Sequence, residues 1–319
     1  MSGNVIGDGP QFAFNGDAKA RDSAVDRLRS RVRDGELDLR QTQAWDAETL
    51  RGSLMGTTVH SADPAVYQQE TGIPAPLAVL QEALFTLRIE WVVASTDPVR
   101  IEAAPGSLDI PPTRWLEELP LDVDLRPVCS RFLHHLLSWA LEHGMTRSVS
   151  AAVTTSMHGV AGLHADAASG RSPAPPVWAS IRHAAILATD AAADDTSRTL
   201  GAVAETVAWP PEEDPSACAT AVANIVGLLE GYASDAHFTA EQHEQLRASK
   251  VAVQKVLDAL DTQDRDVARA ATRNLPEVVA TSTPEWEALK KAAELARRSV
   301  RRQLANQFHE ELVRCLARR

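Results

Sequence analysis

The sequence predicts an all-α protein, an irregular helical bundle or helical stack with room for a small β-hairpin near residues 88–102. Three observations carry that prediction. Apolar residues recur at spacings of three and four over most of the chain, the period of an amphipathic helix. Prolines, glycines and short polar caps interrupt the pattern at sharp points, as helix ends do. The stretch 284–317 carries one uninterrupted apolar stripe: Trp286, Leu289, Ala293, Ala296, Val300, Leu304, Phe308, Leu312 and Leu316. At about 1.5 Å per residue this stripe is roughly 45–50 Å long, and it must pack on the earlier helices or on another copy of the chain.

In chain order, residues 1–16 are rich in Gly, Asn and Pro and are expected to form a flexible tail. A helix starts near Asp17 with Ala24, Val25, Leu28 and Val32 on one face. It stops at Gly35, since glycine accepts the left-handed backbone that ends helices. A second short helix is expected from Asp46 to Met55. Residues 63–120 hold prolines at 64, 74, 76, 98, 105, 111, 112 and 120, each of which ends or prevents a helix. Between them "PLAVLQEALFTL" is amphipathic and helical. "RIEWVV" and "VRIEA" carry enough β-branched residues for a hairpin across "STDP"; a helix continuing through Trp91 is the other reading.

From Leu125 the chain reads as persistently helical, with helices expected over 125–143, 146–168, 176–193, 196–208, 215–233, 239–261, 264–280 and 284–317. Asp214 before Pro215 and Thr283 before Pro284 are cap-then-proline starts. Thr239 with Gln242 has the spacing of a capping box. No fixed repeat of tetratricopeptide or HEAT length occurs. "SGRSPAPP" (169–176) has linker composition. It separates an N-terminal helical part (17–168) with its proline-rich segment from a C-terminal helical domain (177–319), two parts that are also able to pack as one unit.

Composition removes several function classes. Apolar residues make up 44% of the 319, enough for a sizeable core, and charged residues 24%. The net charge of −11 disfavours general nucleic-acid binding, and 5% aromatics leave few platforms for stacking bases. Cys129, Cys218 and Cys315 are far apart and form no CxxC, so reduced, buried thiols are expected rather than a disulfide framework or a zinc knuckle. The N-terminus has no early Lys or Arg and no apolar core of a secretory signal, and no run is long enough to span a bilayer. A cytoplasmic protein with no membrane attachment is the expectation. The chain has no GxxxxGK[ST], no GxGxxG after a strand, no HExxH and no GxSxG. Neither a metal nor a cofactor is expected.

Four clusters carry side chains capable of chemistry. In "RFLHHLLSWALEHG" (131–144), His134 and His135 lack a ligand three or four residues on, where Ser138 and Trp139 stand. His143 lies about 12 Å further along the axis than His135, too far to share an ion. This stretch therefore reads as a buried helix whose histidines belong to packing, with His134 turned towards Ser138 and Glu142. In "TDAAADD" (189–195), Asp190 and Asp194 are four apart on one helix face, and capping explains Asp194 cheaply. Together His134, His135, Glu142, Asp190 and Asp194 are the candidates for a polar pocket. In "DAHFTAEQHEQL" (235–246), Asp235, His237, His243 and Glu244 are metal-capable, yet His243 sits where Phe238 packs as a hydrophobic staple. Finally, Arg297, Arg298, Arg301 and Arg302 form a basic ridge in a segment, 285–319, that holds nine Lys or Arg against five Asp or Glu. A solvated face with Glu294–Arg298 pairing is the plain reading; a docking surface for an acidic partner or phosphate is the functional one.

"TGIPAPLAVLQEALF" (71–85), followed by "RWLEELPLDVDLRPVCSRFLHHLLSWALEHG" (114–144), resembles a segment of uncharacterised Ala-rich helical proteins of bacteria and phages, some of them similar to immunity proteins of bacterial toxin systems. The resemblance implies no catalytic residue. The acidic charge, the absent catalytic motifs and the long striped helix lead to the expected function: a non-enzymatic interaction protein in immunity, defence or anti-defence, or regulation, that binds a protein partner. Self-association through the 284–317 helix is a further option. A helical-bundle enzyme with a His/Asp pocket, and nucleic-acid binding through the Arg297–Arg302 ridge, are the alternatives.

Overall fold

The computed structural model describes residues 9–38, 45–89, 91–96, 99–103, 111–143, 149–248, 251 and 284–318. The fold is all-α, with two small antiparallel β-pairs. It divides into two units, residues 1–226 with 302–319, and residues 227–301. The "SGRSPAPP" stretch lies inside the first unit, so the division falls elsewhere than the sequence composition points.

Of the expected 1–16 tail, residues 1–8 lie outside the described residues, and the described part is packed at Ala13 and Phe14. The Gln11 amide donates to the Asp124 carboxylate at 3.0 Å, and the Leu125 amide donates to the Gln11 carbonyl at 2.8 Å. The apolar triplet Phe12-Ala13-Phe14 supplies the reason, because it gains more by burial than the surrounding Gly and Asn lose by ordering. Helix α1 (Ala18–Arg33) follows, capped by Asp17, whose carboxylate accepts from the Lys19 amide at 2.8 Å. Gly35 takes a φ of +80° just beyond it, as expected.

Residues 46–55 do not form one helix. Asp46 folds the chain into a turn by accepting from the Glu48 amide at 2.9 Å and the Thr49 hydroxyl at 2.8 Å. The strands β1 (Trp45–Asp46) and β2 (Arg51–Gly52) pair across that turn. Helix α2 (Leu54–Val59) begins only at its Ser53 cap. Glu82 reinforces this start from a distance, accepting from the Met55 amide at 3.0 Å. Burial pushes the Glu82 carboxyl above its ordinary range, against the pull of those hydrogen bonds.

Helix α3 (Pro64–Thr71) ends at Gly72, and α4 (Ala75–Leu87) starts three residues on. Gly72 has a φ of +69°, and a Cβ there would lie 2.4 Å from the Phe12 carbonyl oxygen. The glycine is thus required twice, by its backbone and by the N-terminal segment laid against it. The hairpin reading holds for the next stretch: β3 (Trp91–Thr96) pairs with β4 (Val99–Ala103), with a register shift between Val93 and Ser95. A short helix α5 (Arg114–Glu117) then leads to α6.

Helix α6 (Val128–Glu142) is buried on nearly every side: Val128, Cys129, Phe132, Leu133, Leu136, Leu137, Trp139 and Ala140 all lie in the core. It starts at Val128, after Pro127, rather than at Leu125. Helix α7 (Ala151–Ala168), capped by Ser150, packs on α6, α8 (Pro175–Asp190) and α9 (Asp195–Thr206). Buried His164 of α7 donates from Nε2 to the Val207 carbonyl at 2.7 Å and meets Trp178 of α8 edge-on. One imidazole thereby ties three helices. Burial depresses its pKa to about 4.

Helix α10 (Ala217–Asp235) and the last helix, α11 (Pro284–Ala317), each pass from one unit to the other. From Leu304 onward the α11 stripe is buried at Leu304, Ala305, Phe308, Leu312, Cys315 and Leu316. Phe308 meets both Phe132 and Trp139 of α6. This half of the stripe therefore packs on an earlier helix of its own chain.

In the second unit the capping box forms as expected: the Thr239 amide donates to Gln242 Oε1 at 2.8 Å, and the Gln242 amide to Thr239 Oγ1 at 3.3 Å. Phe238 packs on His243 and Trp286, with ring centroids 5.8 and 5.7 Å away. The expected helix 264–280, most of 239–261 beyond residue 248, and the Thr283 cap lie outside the described residues.

Two measurements test this account. Gly72→Ala adds both a strained φ and a backbone clash, so it is expected to cost more than about 1 kcal/mol of stability; an unchanged urea midpoint would contradict it. His164 has a folded pKa of about 4 against an ordinary 6.5. Its contribution is therefore complete above pH 6.5 and is lost as pH falls towards 4, by up to about 3 kcal/mol. Urea titrations across that range should show the slope, and His164→Gln should flatten it.

Candidate functional site

The described residues enclose one groove in which polar atoms are left unspent. Three helical segments of the first unit build it, each through residues on one face. Helix α4 contributes Gln81, Phe85 and Arg88 at spacings of four and three. The α5 turn contributes Arg114, Trp115 and Glu118. Helix α11 contributes His309, Leu312, Val313 and Leu316, again at helical spacing. Leu77, Leu80 and Leu84, on the same and adjoining face of α4, are fully buried, so the Gln81–Arg88 edge borders the core. The cavity at its centre has a volume of about 30 Å³.

Among the described residues six buried side-chain polar atoms have no hydrogen-bond partner, and three of them line this groove: Gln81 Oε1, Arg88 Nε and Trp115 Nε1. A fourth, Tyr67 Oη, belongs to the ring stacked on Trp115 at 5.9 Å. Such an atom costs about 1–3 kcal/mol when left without a partner, so three in one groove is a concentration that packing alone does not account for. The charges point the same way. Arg114 donates from Nε to Glu118, and His309 lies 3.5 Å from the same carboxylate. Arg88 makes no ion pair among the described residues. Burial, and then the neighbouring Arg114, lower the Arg88 pKa; Glu118 and Glu310 only partly offset them. The guanidinium keeps its charge at pH 7. Burial and then Arg88 push the His309 pKa below its ordinary value, so the ring is mostly neutral at pH 7. The groove thus combines apolar walls with one cation that lacks an anion.

The five residues expected to share a polar pocket are engaged at separate places. His134 Nδ1 lies 2.9 Å from the Ala161 carbonyl and links α6 to α7, instead of turning to Ser138 and Glu142. His135 faces Glu311 of α11 at 3.5 Å, and Glu311 is itself held by Arg314 at 2.7 Å. Glu142 and Asp190 are exposed at the ends of α6 and α8. Asp194 is the N-cap of α9, accepting at 2.7 Å from both the amide and the hydroxyl of Ser197, which hold its carboxyl below the usual range. No three His, Cys, Asp or Glu side chains are placed to hold a metal ion among the described residues.

The basic ridge is not one surface. Arg301 turns inward to the buried Glu230, donating from Nε to one carboxylate oxygen and from Nη2 to the other at 3.1 Å. Arg298 pairs with Glu294 at 2.9 Å, and Arg297 lies 3.9 Å from that carboxylate. Arg302 is exposed. All three cysteines are buried thiols. A hydrogen bond with Cys218, and then burial, push the Cys129 thiol well up, and burial next to Glu311 raises Cys315 to about 12. Both are protonated at neutral pH and poor nucleophiles.

Sequence reading did not single out Gln81, Arg88, Arg114, Trp115, Glu118 or His309. A signal for the first two was present: polar side chains seven apart on an otherwise apolar helix share a face. No family model matches the chain, and no curated protein or solved structure matches it.

Arg301 and Arg297 separate a structural role from a surface one. Arg301→Ala strands a buried carboxylate and is expected to cost on the order of 3 kcal/mol, while Arg297→Ala should stay within about 0.5 kcal/mol. Equal thermal midpoints for the two variants would refute this assignment.

Proposed function

We propose that the protein is a non-enzymatic helical binding protein that engages a protein partner through the α4–α5–α11 groove, in an immunity, defence or regulatory role in a bacterium or phage. The observation that carries this reading is an apolar groove whose lining residues include Gln81, Arg88 and Trp115, each with a buried polar atom that has no hydrogen-bond partner. Burying such atoms costs stability, and a partner that satisfies them recovers it. The segments that resemble immunity-like helical proteins, 71–85 and 114–144, include Gln81, Phe85, Arg114, Trp115 and Glu118, so two of the three walls fall within that resemblance. His134, His135 and Asp194 are occupied by a backbone contact, an internal pair and a cap, which favours binding over turnover.

Affinity capture with the full chain, followed by reconstitution from purified components, tests the reading. Val313 is 41% exposed at the groove mouth, so Val313→Glu should spare the fold. It is expected to weaken the reconstituted complex at least about tenfold, the equivalent of about 1.4 kcal/mol. A partner whose affinity is indifferent to Val313→Glu, or retention of nucleic acid alone in a salt-sensitive manner, would overturn it.

A further inference from the structure

We infer that the first unit carries a small-molecule site at the start of α6, which takes a free α-amino acid with an apolar side chain. The site is separate from the α4–α5–α11 groove, and the inference does not rest on the protein-binding role.

The cavity there has a volume of about 480 Å³, within the roughly 300–1,000 Å³ that small-ligand sites occupy. Three segments wall it. One is the α6 start, with Asp124, Arg126, Pro127 and Ser130. The second is the end of α7 and the chain after it, together with Trp178 of α8. The third is Pro210, Pro211 and Glu212. Each wall is held in place from behind. Arg126 donates to Asp124 from Nε at 3.1 Å and from Nη2 at 2.7 Å. Trp178 meets His164 edge-on at 5.2 Å. The Arg182 guanidinium stacks 3.3 Å over the ring of Trp209, next to Pro210.

The α6 wall is a set of donors without acceptors. Pro127 gives the helix no side-chain cap, and the amides of Cys129 and Ser130 find no acceptor among the described residues. First-turn amides point out of the helix start, here back towards Arg126 and Pro127. Such a start favours an anion, and two side chains add to it. Ser130 and Trp178 are each only 4% exposed, yet both line the cavity. Neither side chain makes a hydrogen bond among the described residues. Unlike Gln81 Oε1, Arg88 Nε and Trp115 Nε1, neither Ser130 Oγ nor Trp178 Nε1 is shut off from solvent. The cavity is where both donors are open. Ser130 stands three residues after Pro127 and four after Arg126, on the same side of the first turn as its free amides' exit. A carboxylate, with two oxygens and about four acceptor sites, suits this group of donors.

Charge decides what else the ligand carries. Asp124 and Arg126 neutralise each other. Glu212 is exposed and has no ion pair among the described residues. It stands near the α6 start: Cys218 and burial raise the Cys129 thiol, and the Glu212 charge adds to them. A simple anion such as phosphate would meet Glu212 as a like charge. A carboxylate whose neighbouring carbon bears an ammonium gives Glu212 a counter-charge instead. Ala167, Ala168 and the rings of Pro173, Pro210 and Pro211 leave an apolar bed for the side chain.

Isothermal titration calorimetry on the full-length wild-type chain tests the inference with L-leucine and L-phenylalanine, each also as its N-acetyl acid and its carboxamide. At least one free amino acid is expected to bind at millimolar concentration or below, and blocking either end should weaken it at least about tenfold. Ser130→Ala removes a hydroxyl that bonds to nothing in the free protein. It should keep the melting temperature and weaken the free amino acid about threefold or more. Glu212→Gln, at an exposed position, should bring the free and N-acetylated forms to the same affinity. No binding of either free amino acid at millimolar concentration overturns the inference, and so does equal affinity for free and N-acetylated forms on the wild type. Unchanged affinity in a folded Ser130→Ala variant also overturns it, by removing the α6 start from the site. Binding of inorganic phosphate with no binding of either amino acid overturns it as well, and leaves a plain anion site.

Discussion

The contact on which the rest of the first unit depends is Phe308 set edge-on against two aromatic rings of α6. Its centroid lies 6.4 Å from Phe132 at an interplanar angle of 84° and 5.3 Å from Trp139 at 90°. Edge-to-face pairs add about 0.5–1.5 kcal/mol each beyond the area they bury, and they fix rotation as well as distance. With Phe308 facing α6, the residues one, four and eight positions later, His309, Leu312 and Leu316, are carried to the groove by helical geometry alone. Arg131 secures the same seat by donating to the Cys315 and Arg318 carbonyls at 3.2 and 2.7 Å, where the last carbonyls of a helix lack partners.

Around that contact the molecule satisfies its buried polar groups with few exceptions, which is what gives the exceptions meaning. Glu230 has Arg301, Glu311 has Arg314, Glu82 has backbone amides of the α2 start, and His164 has the Val207 carbonyl. Each of these groups would be costly alone; Glu311 is paired within its own helix, and the other three are paired across elements distant in sequence. The exceptions among the described residues are Gln81 Oε1, Arg88 Nε and Trp115 Nε1 on the groove lining, and Tyr67 Oη, Trp139 Nε1 and His164 Nδ1 elsewhere. Stability forgone at one place while it is secured elsewhere is the pattern expected of a binding surface.

Close approach of backbones is the second constraint, and glycine makes it possible at two points. Gly72 lets the N-terminal segment lie directly on the α3–α4 corner. Gly201 of α9 lets Thr189 of α8 approach so closely that a Cβ would lie 2.4 Å from its hydroxyl oxygen and 3.1 Å from its Cα. Here the Thr189 hydroxyl donates to the Ala185 carbonyl of its own helix, so the contact surface stays satisfied.

By itself the sequence determined what local chemistry controls. The three/four apolar period placed the helices, and Asp17, Asp194 and the Thr239–Gln242 box marked starts that the structure bears out, because a cap and its amides lie within one turn of each other. The β-branched runs around "STDP" allowed the hairpin but left a helix through Trp91 open, and the strand pairing decided between them. Only the tertiary structure decided the rest. The Phe12–Phe14 triplet was indistinguishable from a loose tail until Gly72 and Asp124 lay beside it, and residues 46–55 turned on one local competition between a helix and the Asp46 turn. His135 found its partner on α11, and Arg301 found Glu230 across 71 residues. The groove joins residues 81–88, 111–118 and 309–316; no local pattern reports such a meeting, because the burial that gives Arg88 and Trp115 their meaning exists only once three distant segments have packed.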